Sequence, residues 1–156
     1  MTGEVNSFTW DGYSRLTEAV QMNNYALVQR LIVVEGADVN LPDRHTFSRT
    51  PLITSISNKD PIMAKQLIKL GAVVNLKCDG IYPIHAACRM CSIEMVDLLI
   101  QNGAILNVYD DCGYLPITIA IKGINDIEGE WPLKEKKRER KNSGRYYILS
   151  SRLEGT

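Results

Sequence analysis

Neither charge sign prevails in this chain of 156 residues, where 18 basic side chains offset 18 acidic ones. Without a net field, long-range attraction to nucleic acid or to an anionic membrane is excluded as a general mechanism, and a charge-driven partner must read a local patch. No apolar run approaches the roughly 18 to 20 residues of a membrane-spanning helix. Residues 1–10 carry neither a basic leader nor the apolar stretch of a signal peptide, so a soluble, cytoplasmic protein is expected. Its four cysteines, at 78, 88, 91 and 112, are then expected as reduced thiols. Histidine occurs only at 45 and 85. Cys88 and Cys91 are spaced like half a zinc site, but no second Cys or His pair accompanies them. Cys88 and His85 lie three apart with no orienting acid, which speaks against a nucleophilic pair. Glycines never cluster into a phosphate-binding loop. No catalytic residue, no cofactor, no metal and no small-molecule substrate are therefore expected.

What is present is repetition. The stretch Tyr82-Pro83-Ile84-His85-Ala86-Ala87-Cys88 has counterparts at Thr50-Pro51-Leu52 before it and Leu115-Pro116-Ile117 after it, so that Leu52, Ile84 and Ile117 are almost evenly spaced. A weaker copy begins at Ser14-Arg15-Leu16, at a slightly wider interval before Leu52. A second marker, at the far end of each unit, reads Gly36-Ala37-Asp38-Val39-Asn40, Gly71-Ala72-Val73-Val74-Asn75 and Gly103-Ala104-Ile105-Leu106-Asn107. Two independent markers thus share one period of roughly 33 residues.

Within each unit the apolar residues fall at helical spacing. Leu16, Ala19 and Val20, then Leu27, Val28, Leu31 and Ile32, predict two short helices broken near Met22-Asn23-Asn24. Asp60-Pro61 is a helix start, with Ile62, Met63, Leu67, Ile68 and Leu70 as its apolar face, and Ser92 caps another helix. Gly36, Gly71 and Gly103 read as helix terminators. The interval from Leu16 to Gly36 is one residue longer than those from Leu52 to Gly71 and from Ile84 to Gly103, which predicts a bulge at the helix end. Asn40 to Thr50 is two residues longer than Asn107 to Leu115, so the loop carrying Arg44, His45, Phe47 and Arg49 is extended. In the fourth unit Gly123, Gly129 and Pro132 fall where a second helix belongs, and the unit is expected to be truncated or remodelled.

These motifs resemble the ankyrin repeat, whose signature runs Thr-Pro-Leu-His-x-Ala. The resemblance covers residues 10–122 and implies an all-α solenoid of stacked helix-turn-helix units with hairpin-like loops. Repeats are expected near 10–42, 43–76, 77–109 and 110–132, the last a divergent cap, after a lead-in at 1–9 and before a charged extension at 133–156. His85 is implied to be structural, bonding backbone at the turn into its helix. The family implies a non-enzymatic, protein-binding module, monomeric when unbound, that uses loop tips and the inner helix face. Carried onto this chain, the partner-binding residues are Trp10, Tyr13, Arg44, His45, Phe47, Arg49, Asp79, Ile81, Arg89, Met90, Asp111 and Tyr114. Trp10, Tyr13 and Tyr114 are equally explained by cap sealing or loop packing, whereas Phe47 among Arg44, His45 and Arg49 is expected as an anchor. Two alternatives accompany this reading: a substrate-recruiting adaptor of a larger complex such as a ubiquitin ligase, and a nuclear regulator using the basic run 134–141. Arg145 to Ser150, containing Tyr146-Tyr147-Ile148-Leu149, is β-prone and a candidate to fold back on the last repeat.

Overall fold

The computed structural model describes residues 5–44 and 48–128, so the charged extension and the β-prone stretch at 145–150 lie outside the described residues. Among the described residues seven helices follow one another: α1 Arg15–Gln21, α2 Tyr25–Val33, α3 Pro51–Ser57, α4 Pro61–Lys69, α5 Pro83–Arg89, α6 Ile93–Gln101 and α7 Pro116–Glu128. The expected all-α solenoid is what forms. α1, α3, α5 and α7 make an inner row and α2, α4 and α6 an outer row, with inner helices packed against inner helices along the stack and α4 against α6.

Local chemistry sets the helix starts. Ser14, Asn24, Thr50, Asp60 and Ser92 each accept a backbone N–H from the first turn, and Pro51, Pro61 and Pro83 occupy first-turn positions that need no donor. The ends follow the expected glycines: Gly36, Gly71 and Gly103 all have positive φ. The turns between paired helices use a left-handed residue too, at Asn23, Lys59 and Cys91. The extra residue of the first unit is absorbed at the end of α2. Ala37 N–H bonds Leu31, six residues back, where Ala72 and Ala104 bond Leu67 and Leu99, five back. Glu35, at that bulge, pairs with both Arg15 and Arg30.

The core is a column of fully buried side chains, Leu16, Leu31, Leu52, Ile56, Met63, Leu67, Ile84, Met95 and Leu99 among them. Each buried aliphatic of this size contributes about 1.5 to 3 kcal/mol relative to exposure, and no single unit could bury its share alone. Ile62 departs from expectation. It is 68% exposed, because Met63 and Leu67 define the inward face of α4 and Ile62 lies about 100° round the helix from Met63.

Between units runs a ladder of asparagines. Asn40 Oδ1 accepts Val73 N–H at 2.8 Å and its Nδ2 donates to Gly71 O at 3.3 Å. Asn75 repeats both bonds, to Ile105 N–H at 3.0 Å and Gly103 O at 2.8 Å. Asn6 Oδ1 holds the first rung, accepting Asp38 N–H at 2.9 Å, while Val5 is buried like Val39 and Val74. Val5-Asn6 therefore plays the part of Val39-Asn40 one period earlier. On the outer row, Tyr25 Oη donates to the Asp60 carboxylate at 2.7 Å, and this bond is the main cause of a tyrosine pKa above its ordinary value.

Among the described residues the fourth unit has a single helix, longer than one turn. α7 runs 13 residues straight through the place where the inter-helix turn occurs in the other units. Gly123 lies inside it, where a Cβ would stand 3.0 Å from Cys91 Sγ. The missing side chain lets α7 approach the α5–α6 turn.

Candidate functional site

Each unit projects a finger that the backbone closes just before an inner helix. Thr9 N–H bonds Tyr13 O at 2.8 Å, Asp43 N–H bonds Arg49 O at 2.9 Å, Cys78 N–H bonds Ile81 O at 2.9 Å and Asp110 N–H bonds Tyr114 O at 3.0 Å. The second finger is the longest, as its spacing implies; its tip, with His45 and Phe47, lies outside the described residues. The third is the tightest. Ile81 N–H also returns a bond to Cys78 O, and Asp79 and Gly80 both have positive φ, the geometry of a two-residue hairpin turn. Gly80 is required twice over, since a Cβ there would meet Asp111 Oδ2 at 2.7 Å.

The second, third and fourth fingers and the end of α5 enclose a cleft of about 210 Å³. Arg49, Asp79, Ile81, Arg89 and Asp111 line it, together with Ser48, Gly80, Asp110 and Cys112. Five of the twelve residues expected to bind a partner are thereby brought to one place from separate units. Asp110 is consumed internally, its Oδ1 accepting N–H from Cys112 at 2.9 Å and Tyr114 at 2.8 Å. Asp111 pairs with Lys77, whose pKa rises chiefly through that bond. The guanidinium groups remain unspent: among the described residues Arg89 has no ion pair, and Arg49 reaches only Ser57 Oγ, at 3.5 Å. Asp79 is likewise exposed without an ion pair among them.

The other expected residues lie elsewhere. Trp10, at the tip of the first finger, is 99% exposed and so does not seal the cap. Tyr13 is half-buried, its carbonyl engaged in closing that finger. Arg44 stacks its guanidinium 4.2 Å over the Phe8 ring and donates its N–H to Gly12 O at 2.7 Å, tying the first two fingers together. Tyr114 is half-buried under Lys122, whose Nζ sits 3.5 Å from the ring centroid. Ile81 and Met90 are less exposed than expected, Ile81 still lining the cleft. Both are half-buried and pack against the core, because apolar side chains at its border gain more from burial than from water. His85 is fully buried and structural: its Nδ1 accepts Tyr82 N–H at 3.3 Å and its Nε2 donates to Tyr114 O at 3.1 Å. Cys88 is buried and its thiol pKa is raised by that burial, with the neighbouring Cys91 adding to it. This is the opposite of a nucleophile's environment.

The sequence family described as ankyrin repeats in three copies matches residues 16–110 and again 58–127. The chain belongs to the ankyrin-repeat family. It is 29% identical over 119 residues to zygote-specific protein 3 of Chlamydomonas reinhardtii, covering 75% of this chain and 32% of that one. Mouse ankyrin repeat and SOCS box protein 11 is 30% identical over 108 residues, 69% of this chain and 32% of its own length. A putative palmitoyltransferase of Danio rerio is 30% identical over 113 residues, 70% of this chain but 17% of the relative. The chain thus spans about a third or less of these curated relatives, and the likeness is to part of each. Ankyrin repeats generally mediate protein–protein interaction and are typically non-enzymatic. Among the described residues no helix is long and apolar enough to cross a membrane.

Proposed function

We propose that this chain is a non-enzymatic module that holds a protein partner across its fingers and inner helices, with the cleft around Arg49 and Arg89 as the centre of contact. The observation that carries the reading is that cleft: three fingers and one inner helix converge on it with two guanidinium groups unspent. Unspent arginines at a concave surface suit a partner that brings carboxylates, each charge-assisted bond contributing more than a neutral one. Asp79 adds a negative pole at the rim, so register as well as affinity is set by charge. Trp10 and Arg44 extend the surface along the fingers.

The test is affinity capture with the wild-type chain and with Arg49→Ala/Arg89→Ala, followed by titration of the captured partner. Loss of at least about tenfold in affinity, roughly 1.4 kcal/mol, with unchanged unfolding, is the expected result. Equal affinity would remove the cleft from the interface.

A second reading makes the module the substrate-recruiting arm of a larger complex. It is favoured by the similarity to the mouse ankyrin repeat and SOCS box protein. Co-purification of a multi-subunit assembly through a surface other than the cleft would support it. The basic run 134–141, on which a nuclear role would depend, lies outside the described residues.

A further inference from the structure

A second concavity, built from the third and fourth units and sharing no lining residue with the finger cleft, has a different chemistry. It is a groove of about 440 Å³ between α6 and α7, walled almost entirely by apolar side chains. Register explains why it exists. Val28 in α2 and Ala64 in α4 occupy equivalent positions, counted from the caps Asn24 and Asp60, and both are 0% exposed because the next outer helix covers them. Val96, the equivalent in α6, is only half-buried, and Ile100 on the following turn is 44% exposed where Ile32 and Ile68 are half-buried. The opposite wall is the first half of α7, with Ile117 62% exposed. α7 continues as an inner helix instead of turning back, so the row that α2 and α4 each hide against a successor stays open on α6.

We propose that residues 146–149, Tyr-Tyr-Ile-Leu, which lie outside the described residues, return to this groove and cover it, taking the place that a next outer helix would hold, none being present among the described residues. Reach and chemistry select that segment within 129–156. Ile117 lies three turns before Glu128 in the helix, about 16 Å along its axis. Trp131, three residues beyond Glu128, can span only about 10 Å and falls short, whereas Tyr146, much further along the chain, can span up to about 60 Å. Residues 134–141 between them are all charged, and burying them against apolar walls would carry a large desolvation cost. Tyr146 to Leu149 is the apolar cluster that both reaches and fits.

Cys91 lines the groove and reports on its cover, while Cys112 on the fourth finger serves as reference. Site-resolved alkylation by mass spectrometry on the full chain gives the ratio of their rates. In Tyr147→Ser/Leu149→Ser the Cys91 to Cys112 ratio should rise about tenfold, with helicity by circular dichroism unchanged. An unchanged ratio overturns the proposal. In Ile148→Cys, mild oxidation should produce a disulfide from residue 148 to Cys91 within a monomer. The same disulfide formed between two chains would assign the groove to a second copy and overturn it equally.

Discussion

His85 Nε2 donates to the carbonyl of Tyr114 at 3.1 Å, so the imidazole buried in the third unit holds the finger of the fourth. Its Nδ1 meanwhile accepts the N–H at the start of its own helix. One side chain therefore ties a helix start to the neighbouring unit that forms the cleft.

Replacing His85 by alanine leaves the Tyr82 N–H without its acceptor, takes one of two donors from the Tyr114 carbonyl, which keeps Asp110 N–H, and opens a void. Destabilisation of about 2 to 4 kcal/mol is expected, combining an unsatisfied group with a cavity, and urea unfolding measures it. A loss below about 1 kcal/mol would mean that water replaces the imidazole.

Gly80 and Gly36 both have positive φ, but only Gly80 faces a neighbour at contact distance. Gly36→Ala should cost about 1 to 2 kcal/mol, from the left-handed backbone alone. Gly80→Ala should cost more and should also displace Asp111, weakening partner binding where Gly36→Ala does not. Parallel unfolding and binding titrations separate the two.

Asn75 bonds the next unit through both its amide atoms, whereas Asn107 has no such bonds among the described residues. Asn75→Ala should lose about 1 to 2 kcal/mol. Asn107→Ala should stay within about 0.5 kcal/mol. Similar losses at both positions would show that the ladder is not what distinguishes them.

Cys88 should alkylate at least about tenfold more slowly than Cys112 near neutral pH. Burial disfavours the thiolate and raises the Cys88 pKa, so at a given pH its reactive fraction is reduced. Its rate should still be climbing with pH above the ordinary thiol range. A Cys88 rate matching that of Cys112 near neutral pH would show that α5 opens readily.

Much of the fold was legible. Capping residues, first-turn prolines and terminal glycines act within a few residues of themselves, which is why the helix starts at Asp60 and Ser92, the terminators and even the bulge before Gly36 are read correctly. Cys91, in the turn between α5 and α6, carries a left-handed backbone. Val5-Asn6 was within reach as well, since it sits one period before Val39-Asn40, but two residues without a following motif do not announce a period. The continuation of α7 was less accessible, because a glycine in a helix interior normally argues against one. Close packing on Cys91 and Arg89 reverses that preference at Gly123.

The sequence by itself determined the repeat, its length and most helix starts and ends of the first three units, because these rest on local propensity and on a pattern copied along the chain. Tertiary structure alone decided which residues meet. Arg49, Arg89 and Asp111 come from three successive units and share a cleft only because stacking sets those units side by side. It also decided that Ile81 and Met90 turn toward the core and that one flank of α6 stays open. Burial depends on what the neighbouring unit supplies, and no window of sequence contains its neighbour.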